Sequence, residues 1–327
     1  MSTSASEQPL RGRVALVAGA TRGAGRGIAV ALGESGATVI CTGRSSRLEA
    51  SAREGASGPR APFELAGRPE TIEETAELVT EAGGHGIAII ADHTDEAQVA
   101  AVASRIEADH GRLDVLVNDI WGGDALVAWD RGVDGLNVEH SRTLLDRALW
   151  THILTTRFMA PLLKQSPHAL LVEITDGDTL AFRGNVLYDL VKTSLIRFAF
   201  ALSEELGPHG VTALSVTPGF LRSEVMLEHF GVTAATWREG AATDPNFLHS
   251  ETPLFVGRGI AALAADPDRA RFAGRALSSW RLARTYGFVD ADGERPDWGR
   301  HAEGSEFGAA QAASHARFVG GFGEDDA

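Results

Sequence analysis

The feature that most constrains the fold is an alternation of short apolar runs with helix-like stretches. Residues 13–18 form an apolar run, a glycine-rich turn follows, and an apolar periodic stretch continues to Ser35. The apolar runs are continuous, which is typical of strands buried on both faces of a parallel sheet. The sequence therefore predicts an α/β fold, a single Rossmann-like, doubly wound parallel sheet with helices on both faces.

The same alternation predicts the elements that follow. Further strands are predicted at residues 37–42, 86–91, 113–117, 168–175 and 211–217. Further helices are predicted at residues 69–83, 96–110, 141–163 and 186–206, the second of them capped by Asp95. Ligands of such sheets bind outside the carboxyl ends of the strands, so we expect the site residues there.

The chain has 327 residues, which fits one large domain or two small ones. Continuity of the motifs favours a single domain over residues 11–300. Residues 1–10 and the Gly/Ala-rich tail 301–327 are expected to be flexible. Of three long loops, we expect the first to be disordered and the two that carry aromatic residues to form walls or lids over a substrate. These loops cover residues 45–68, 119–140 and 219–252.

Charge and composition exclude several classes of partner. Lys and Arg total 30 against 44 Asp and Glu, a formal net charge of −14, so nucleic acid and anionic membranes are poor partners. No apolar run approaches the ~20 residues that span a bilayer, and residues 1–10 lack a signal-peptide pattern. We therefore expect a cytoplasmic protein. A sole cysteine, Cys41, excludes a disulfide framework, and no histidine spacing predicts a metal site.

The glycine-rich turn has the composition of a phosphate cradle. Gly19, Gly23 and Gly25 lie between a strand and a helix, where glycine allows close backbone approach. The helix N-terminus adds free N–H groups and a partial positive charge, which suit a pyrophosphate. A tight turn without a ligand is the alternative. The predicted cradle comprises Gly19, Thr21, Arg22, Gly23, Ala24 and Gly25.

The end of the second strand indicates which nicotinamide cofactor fits. An acidic residue there would hold the ribose hydroxyls of NAD, whereas an arginine accommodates the 2′-phosphate of NADP. The strand ends in Cys-Thr-Gly-Arg44-Ser45 and has no acid. Arg44 and Arg22 could grip one phosphate as planar donors. We therefore predict NADP(H), with a pair of solvated arginines as the alternative.

Tyr188 and Lys192 form a YxxxK pair within a predicted helix. Positions i and i+4 lie on one helix face, so the ammonium stands one turn from the phenol. A nearby ammonium lowers the phenol's pKa from its usual value near ~10. Tyr188 would then give a proton to a carbonyl oxygen while hydride arrives at the carbon, and Lys192 would also hold the nicotinamide ribose. An ordinary helical pair is the alternative.

Together these motifs resemble those of the short-chain dehydrogenase/reductase family. The glycine turn has the family's TGxxxGxG spacing with Ala18 for the usual Thr, and Asn118 matches the first Asn of its NNAG motif. Tyr188 and Lys192 match its active-site YxxxK. The resemblance runs continuously from residue 11 to about 223. It further implies adenine contacts at Asp92 and His93, and nicotinamide contacts at Pro218 and Gly219, with Ser223 for the usual Thr.

The resemblance implies a function as well as a fold. It implies an NADP(H)-dependent oxidoreductase that transfers hydride between the nicotinamide and a carbonyl or alcohol carbon of a small molecule. Family members are commonly dimers or tetramers, so a homodimer or homotetramer is expected. Two other hypotheses keep the fold. One is imine reduction or a non-redox reaction, and the other is a non-catalytic NADP-binding regulator.

The chain departs from the family at the catalytic serine, which lies 12 or 13 residues before the tyrosine. Asp176 and Thr175 occupy those positions. Thr175 keeps a hydroxyl that could orient a carbonyl oxygen, whereas Asp176 could do so only when protonated. Ionised, Asp176 would raise the pKa of Tyr188 and oppose Lys192. It could also act as a counter-charge for an amine or iminium substrate, or simply cap local backbone.

The family's catalytic asparagine is missing too. Its position falls near Ala148, and His152, one turn along, either substitutes as a proton relay in the substrate pocket or is a buried structural histidine. The rest of NNAG becomes Asp119 and Ile120, followed by Trp121. Trp121 either stacks on the substrate or fills the core.

Overall fold

The computed structural model describes residues 8–48 and 67–321, and a parallel sheet of seven strands lies at its centre. The strand order is β3-β2-β1-β4-β5-β6-β7, with the reversal of direction between β1 and β4 that defines a doubly wound sheet. The predicted fold class is therefore confirmed. The strands are Val14–Ala18 (β1), Thr38–Gly43 (β2), His85–Ile90 (β3), Val115–Asn118 (β4), Leu170–Ile174 (β5), Thr212–Thr217 (β6) and Ala276–Ser278 (β7).

Helices cover both faces of this sheet. The first group is Gly23–Glu34 (α1), Ile72–Glu81 (α2), Glu96–His110 (α3), Val138–Leu145 (α4), Thr151–Leu163 (α5) and Val186–Leu206 (α6). The second group is Glu224–His229 (α7), Pro253–Ala265 (α8), Ser279–Tyr286 (α9), Trp298–Glu303 (α10) and Glu306–Gly320 (α11). One core lies between the sheet and α1, α2 and α8, and the other between the sheet and α3, α5 and α6. No helix of the described part of the chain is long and apolar enough to cross a membrane.

Local sequence signals explain where several helices begin. The Asp95 carboxylate accepts hydrogen bonds from the N–H groups of Ala97 and Gln98, which caps α3 as predicted. The Asn185 side chain accepts from Leu187 and Tyr188 in the same way and begins α6. Because Asn185 is the N-cap of α6, Tyr188 lies in the first turn of the helix.

The helix predicted over residues 141–163 is interrupted. It begins earlier, as α4, and passes through a π-helical turn at Asp146–Trp150 before it continues as α5. Such a turn places an extra residue in the helix and often occurs near functional sites. Ala148, where the family has its asparagine, lies inside this turn and is fully buried.

The described parts of the two terminal segments, residues 8–10 and 301–321, make defined contacts or form helices. Leu10 is fully buried, and the Gln8 side chain donates a hydrogen bond to the Gly83 carbonyl at 3.1 Å. The predicted flexible tail contains α11, so that expectation is wrong for residues 306–320. Its Gly/Ala content favoured mobility, but alanine is the best helix former, and Ser305 caps the helix by accepting from Gly308 N–H.

The long loops are also partly structured. Most of the first, residues 49–66, lies outside the described residues. Residues 119–140 form two short 3₁₀ turns and enter α4. Residues 219–252 contain α7 and further 3₁₀ turns.

Candidate active site

The glycine turn between β1 and α1 leaves no room for side chains at two positions. Gly19 has a φ of +92°, and a Cβ there would lie 2.4 Å from the Asp119 carbonyl oxygen. A Cβ on Gly25 would lie 2.3 Å from the Gly19 carbonyl oxygen. Both positions therefore require glycine. The turn brings the N-terminus of α1 close to the ends of β1 and β4.

The N-terminus of α1 already binds an anion from the chain itself. The Gly23 N–H donates a hydrogen bond of 2.8 Å to the carboxylate of Glu224, the first residue of α7. The same carboxylate lies 3.8 Å from the Arg26 guanidinium. The turn thus offers a backbone N–H to a negatively charged oxygen, as a pyrophosphate would need. A phosphate bound to this N–H would have to displace Glu224.

Arginines surround the end of β2, together with a carboxylate that sequence reasoning missed. The Arg22 guanidinium donates to Ser45 Oγ at 3.3 Å and to Glu70 at 3.2 Å. Arg68 binds the same Glu70 through two hydrogen bonds of 3.0 and 3.1 Å. Burial opposes ionisation of Glu70, but the bonds from Arg68 outweigh it and lower the pKa of Glu70. Arg22 and Ser45 are therefore neighbours, with the Glu70 carboxylate beside them.

Arg44 is the more accessible of the two predicted phosphate ligands. Its side chain is about half exposed, and its nearest carboxylate is Asp92, at 3.9 Å. Asp92 itself accepts from the Thr94 N–H at 2.9 Å and from the Thr94 hydroxyl at 2.7 Å. Arg44 and Asp92 thus lie together at the ends of β2 and β3, where the adenosine end of a dinucleotide would lie.

The His93 side chain lies in the core rather than beside Arg44 and Asp92, contrary to its predicted cofactor contact. Its imidazole is buried, 2.8 Å from Thr42 Oγ1 and 2.7 Å from Thr155 Oγ1. Burial lowers the pKa of His93 to about 4, so the ring is neutral at physiological pH. It connects β2 to α5 inside the core.

Tyr188 donates its hydroxyl proton to Asp176, one of the two residues that could correspond to the family's serine. The two oxygens lie 2.8 Å apart. Burial and the Asp176 carboxylate both raise the pKa of Tyr188 far above its ordinary value. The net effect is thus opposite to the expected lowering by Lys192, and Asp176 acts in the direction expected of an ionised carboxylate.

Lys192 lies among carboxylates. Its ammonium is 4.2 Å from the centre of the Trp121 ring. Burial lowers the pKa of Lys192, while the negative charges of Asp176, Asp119 and Asp124 oppose that shift. Lys192 therefore has three acidic neighbours, only one of which the sequence analysis placed in the site.

Asp119 connects the glycine turn to the acid–base pair. Its carboxylate accepts a hydrogen bond from the Gly25 N–H and interacts electrostatically with Lys192. Burial raises the pKa of Asp119 to about 7. Asp119 therefore interacts both with the predicted cofactor cradle, at Gly25, and with Lys192 of the YxxxK pair.

Thr175 does not face the reacting position. Its hydroxyl is buried and donates a 2.7 Å hydrogen bond to the carbonyl of Lys192, which ties β5 to α6. Arg183 holds the loop that follows. Its guanidinium donates to the carbonyls of Asp176 and Thr179 and to the Asp189 carboxylate. Of the two predicted substitutes for the serine, only Asp176 contacts Tyr188.

Two tryptophans flank the phenol ring. The Trp121 ring meets Tyr188 edge-on, with ring centroids 5.5 Å apart, and the Trp129 ring lies 5.0 Å from it. The Trp121 N–H donates to Asp124 at 2.7 Å. Trp129 is 59% exposed, so it lies at the mouth of the site. Trp121 and Trp129 of the loop 119–140 therefore form an aromatic wall beside Tyr188, and its contact with a substrate stays a prediction.

Asn118 and His152 belong to a buried network rather than to a pocket. The Asn118 amide donates to Thr156 Oγ1 at 3.0 Å and to Glu173 at 2.8 Å. The His152 ring bridges Glu173, at 2.5 Å, and the Ile120 carbonyl, at 2.9 Å. Both ring nitrogens of His152 are thus engaged within this network. Glu173 was missed, although a lone acid in the apolar run Leu170–Ile174 implies a buried partner.

The segment that follows β6 packs closely against Glu251 and Trp298. A Cβ on Gly219 would lie 2.9 Å from Glu251 and 2.9 Å from Trp298. Glu251 accepts from the Gly219 N–H, and burial raises the pKa of Glu251 to about 8. Pro218 precedes this crowded point, and its carbonyl accepts from Thr217 Oγ1 at 2.9 Å.

The C-terminal helix α11 reaches the loop that carries Asp176. The Leu180 N–H donates to His315 at 3.1 Å, and the Phe182 N–H donates to Ser314 at 3.0 Å. The Gln311 amide donates to the Phe182 carbonyl at 3.2 Å. This part of the site is therefore built from residues 130 positions apart in the chain, which no local motif indicates.

Known proteins match this chain over most of its length. A family model described as enoyl-(acyl carrier protein) reductase matches residues 61–267. The mouse protein named dehydrogenase/reductase SDR family member 1 (Mus musculus) is 30% identical over 295 residues, 87% of this chain and 85% of the relative. The 3-oxoacyl-(acyl-carrier-protein) reductase FabG of Escherichia coli is 26% identical over 216 residues, 65% of this chain and 75% of the relative.

A solved structure shows the same fold. The short-chain dehydrogenase of Mycobacterium thermoresistibile superimposes with a TM-score of 0.68 at 18% identity, over 88% of this chain and 92% of that chain. The sheet order, the glycine turn and these matches agree with one another. The chain belongs to the short-chain dehydrogenase/reductase family of oxidoreductases, which use a nicotinamide cofactor.

Proposed function

We propose that the protein is an NADP(H)-dependent oxidoreductase that transfers hydride between the nicotinamide and a carbonyl or alcohol carbon of a small molecule. The observation that carries the proposal is the position of Asp119, which accepts from Gly25 in the cradle and interacts with Lys192 in the acid–base pair. A dinucleotide laid from the cradle towards Lys192 would place its reactive end beside Tyr188. When bound, the nicotinamide supplies or accepts the hydride.

The preference for NADP(H) is proposed from Arg44 and Arg22. Arg44 is half exposed at the end of β2, and Arg22 binds the adjacent Ser45. Glu70 opposes a phosphate there, but it already receives hydrogen bonds from two arginines. We expect kcat/KM to be at least about tenfold higher with NADPH than with NADH, and Arg44→Ala to reduce that ratio. Equal efficiency with both cofactors would contradict the preference.

Tyr188 is proposed as the acid and base of the reaction. For carbonyl reduction, its proton must turn from Asp176 to the substrate oxygen, and Asp176 then ceases to accept it. The test follows NADPH absorbance with a panel of ketones and quinones, for the wild type and Tyr188→Phe. We expect the substitution to lower turnover by about a hundredfold or more. Turnover unaffected by Tyr188→Phe would rule out this mechanism, and tight NADPH binding without turnover on any substrate would favour a regulatory protein.

A further inference from the structure

The hydrogen bonds around Tyr188 are unlike those that a neutral carbonyl substrate needs. Reduction of a carbonyl requires a donor at the substrate oxygen. The Tyr188 hydroxyl already donates to Asp176, and the Thr175 hydroxyl already donates to the Lys192 carbonyl. An ionised Asp176 only accepts hydrogen bonds. Both hydroxyl protons nearest the reacting position are thus committed within the protein.

The charges in the same place are predominantly negative. Asp176, Asp119 and Asp124 all act on the single ammonium of Lys192. The other cation facing Tyr188 is Arg183, whose guanidinium is bound to the Asp189 carboxylate at 3.1 Å. Asp176 is exposed, so a substrate can reach it, whereas Asp119 and Asp124 are partly buried. A carboxylate partly withdrawn from water interacts more strongly with a nearby charge, so this group of negative side chains favours a ligand that brings a positive charge.

The aromatic wall favours the same kind of ligand. Faces of tryptophan and tyrosine rings attract organic cations. Trp129 lies 5.0 Å from the Tyr188 ring and is more than half exposed, so it borders the path by which a substrate enters. Lys192 already occupies the face of Trp121, which shows that this wall accepts a cation.

We infer that the preferred electrophile of this site is an iminium, a C=N bond with a positively charged nitrogen, held by the Asp176 carboxylate between Tyr188 and Trp129. The inference rests on the proposed hydride transfer from NADPH and narrows its substrate. The hydride bonds to the iminium carbon, and the electron pair of the C=N bond moves to nitrogen and gives a neutral amine. NADPH is oxidised to NADP⁺. No proton is consumed, so Tyr188 keeps its hydrogen bond to Asp176 throughout.

The test compares two substrates of similar shape and different charge. N-methyl dihydroisoquinolinium is a permanent cation, and tetralone is a neutral bicyclic ketone. We expect the wild type to reduce the cation with a kcat/KM at least about tenfold above that for the ketone. Asp176→Asn and Asp176→Ser should lower the efficiency with the cation about tenfold or more, chiefly through KM. The serine variant should leave or improve activity on the ketone.

A matched control lies two residues away in the same loop. Asp178 is 3.9 Å from Arg281 rather than at Tyr188, so Asp178→Asn removes the same charge without touching the proposed contact. It should leave the ratio of the two efficiencies unchanged. Tyr188→Phe provides a second variant. It should raise the ratio of cation to ketone efficiency, because only the ketone needs the phenolic proton.

The outcomes separate this inference from the proposed function. Reduction of tetralone at least as efficient as that of the cation, or Asp176→Asn with unchanged KM for the cation, would overturn the inference and leave the proposed function intact. Binding of NADPH, followed by its fluorescence, reports whether each variant is folded. A protein that binds NADPH but reduces neither these two compounds nor any ketone or quinone of the panel would overturn both proposals.

Discussion

Most side chains of the candidate site affect the Tyr188 hydroxyl through a hydrogen bond, through their charge or by burying the ring. The YxxxK spacing alone indicates a lowered pKa for the phenol, because a cation stands one helical turn away. In the folded protein, burial and Asp176 have the larger effect, and the pKa of Tyr188 is raised. Asp176 could be recognised from the sequence because it lies twelve residues before the tyrosine. The burial of Tyr188 could not, because it depends on how Trp121 and Trp129 are oriented, which residue spacing does not reveal.

A first prediction concerns the pH dependence of alcohol oxidation. In that direction Tyr188 must be ionised to accept a proton, so a raised pKa moves the rising limb of the rate profile to higher pH. Asp176→Ser removes one cause of the increase. We expect its profile of kcat/KM against pH, measured with NADP⁺ and an alcohol, to rise at lower pH than that of the wild type. If Asp176→Ser and the wild type have the same profile of kcat/KM against pH, the Asp176 carboxylate does not raise the pKa of Tyr188.

A second prediction concerns Asp119 and stability. Its pKa of about 7 lies above the ordinary value of 3.8, so the folded state retains a proton that the unfolded state loses. The stabilisation that this proton provides is complete below about pH 4 and is lost as the pH rises through 7. Asp119→Asn keeps an acceptor for the Gly25 N–H without the charge.

We therefore expect the melting temperature of Asp119→Asn, relative to the wild type, to increase by a few degrees between pH 4 and pH 8. Thermal unfolding at several pH values measures this difference. Asp178→Asn, a substitution of a loop carboxylate, serves as the control. A constant difference in melting temperature across that range would refute the assignment.

At the scale of elements, long periodic segments were the easiest to predict. The helix predicted at 186–206 is α6 to the residue, and α3 begins after the predicted cap at Asp95. Elements that depend on tertiary contacts were not predicted. Strand β7 has three residues, too few for a pattern, and forms because it pairs with β6. The π-helical turn at Asp146–Trp150 has no local signal in the sequence.

A third prediction concerns helix α7, whose Glu224 occupies the Gly23 N–H. A pyrophosphate needs the same N–H, so binding of the cofactor must displace this carboxylate. Glu224→Gln weakens the competing contact and removes a repelling charge, and we expect it to lower the Kd for NADPH about three- to tenfold. Fluorescence titration measures the change.

Glu228→Gln is the matched control, because it removes the same charge from the same helix. Its carboxylate binds Arg68 instead of the glycine turn. An equal gain in affinity for the two variants would indicate a general effect of charge, and unchanged affinity for Glu224→Gln would exclude competition.

At the scale of the whole molecule, helix α11 near the C-terminus supports a site whose other residues come from earlier parts of the chain. Residues 311–315 of α11 bind the loop around Leu180 and Phe182, and that loop follows Asp176 directly. The candidate cradle and the YxxxK pair were found from motifs because both lie within single segments. Glu224 and α11 were not, because their contacts join residues more than 120 positions apart.

A fourth prediction tests the contribution of α11. A stop codon after Gly304 removes the helix, and one after Gly321 retains it. We expect the shorter protein to bind NADPH with an unchanged Kd, since α11 contacts none of the predicted cradle residues in the described part of the chain. Its KM for the substrate should rise about tenfold because the Asp176 loop loses its support. Equal KM values for the two proteins would show that α11 has no role in the site.

The three hydrogen bonds between α11 and the loop, within the described part of the chain, all involve the loop's main chain: the N–H groups of Leu180 and Phe182 and the carbonyl of Phe182. Main-chain contacts do not depend on which side chains the loop carries. We therefore expect that substitutions at the exposed positions Thr179 and Phe182 leave the loop attached to its support. This separates the loop's position from its chemistry, and makes these positions the first choice for a mutant library that seeks new substrates on an unchanged scaffold.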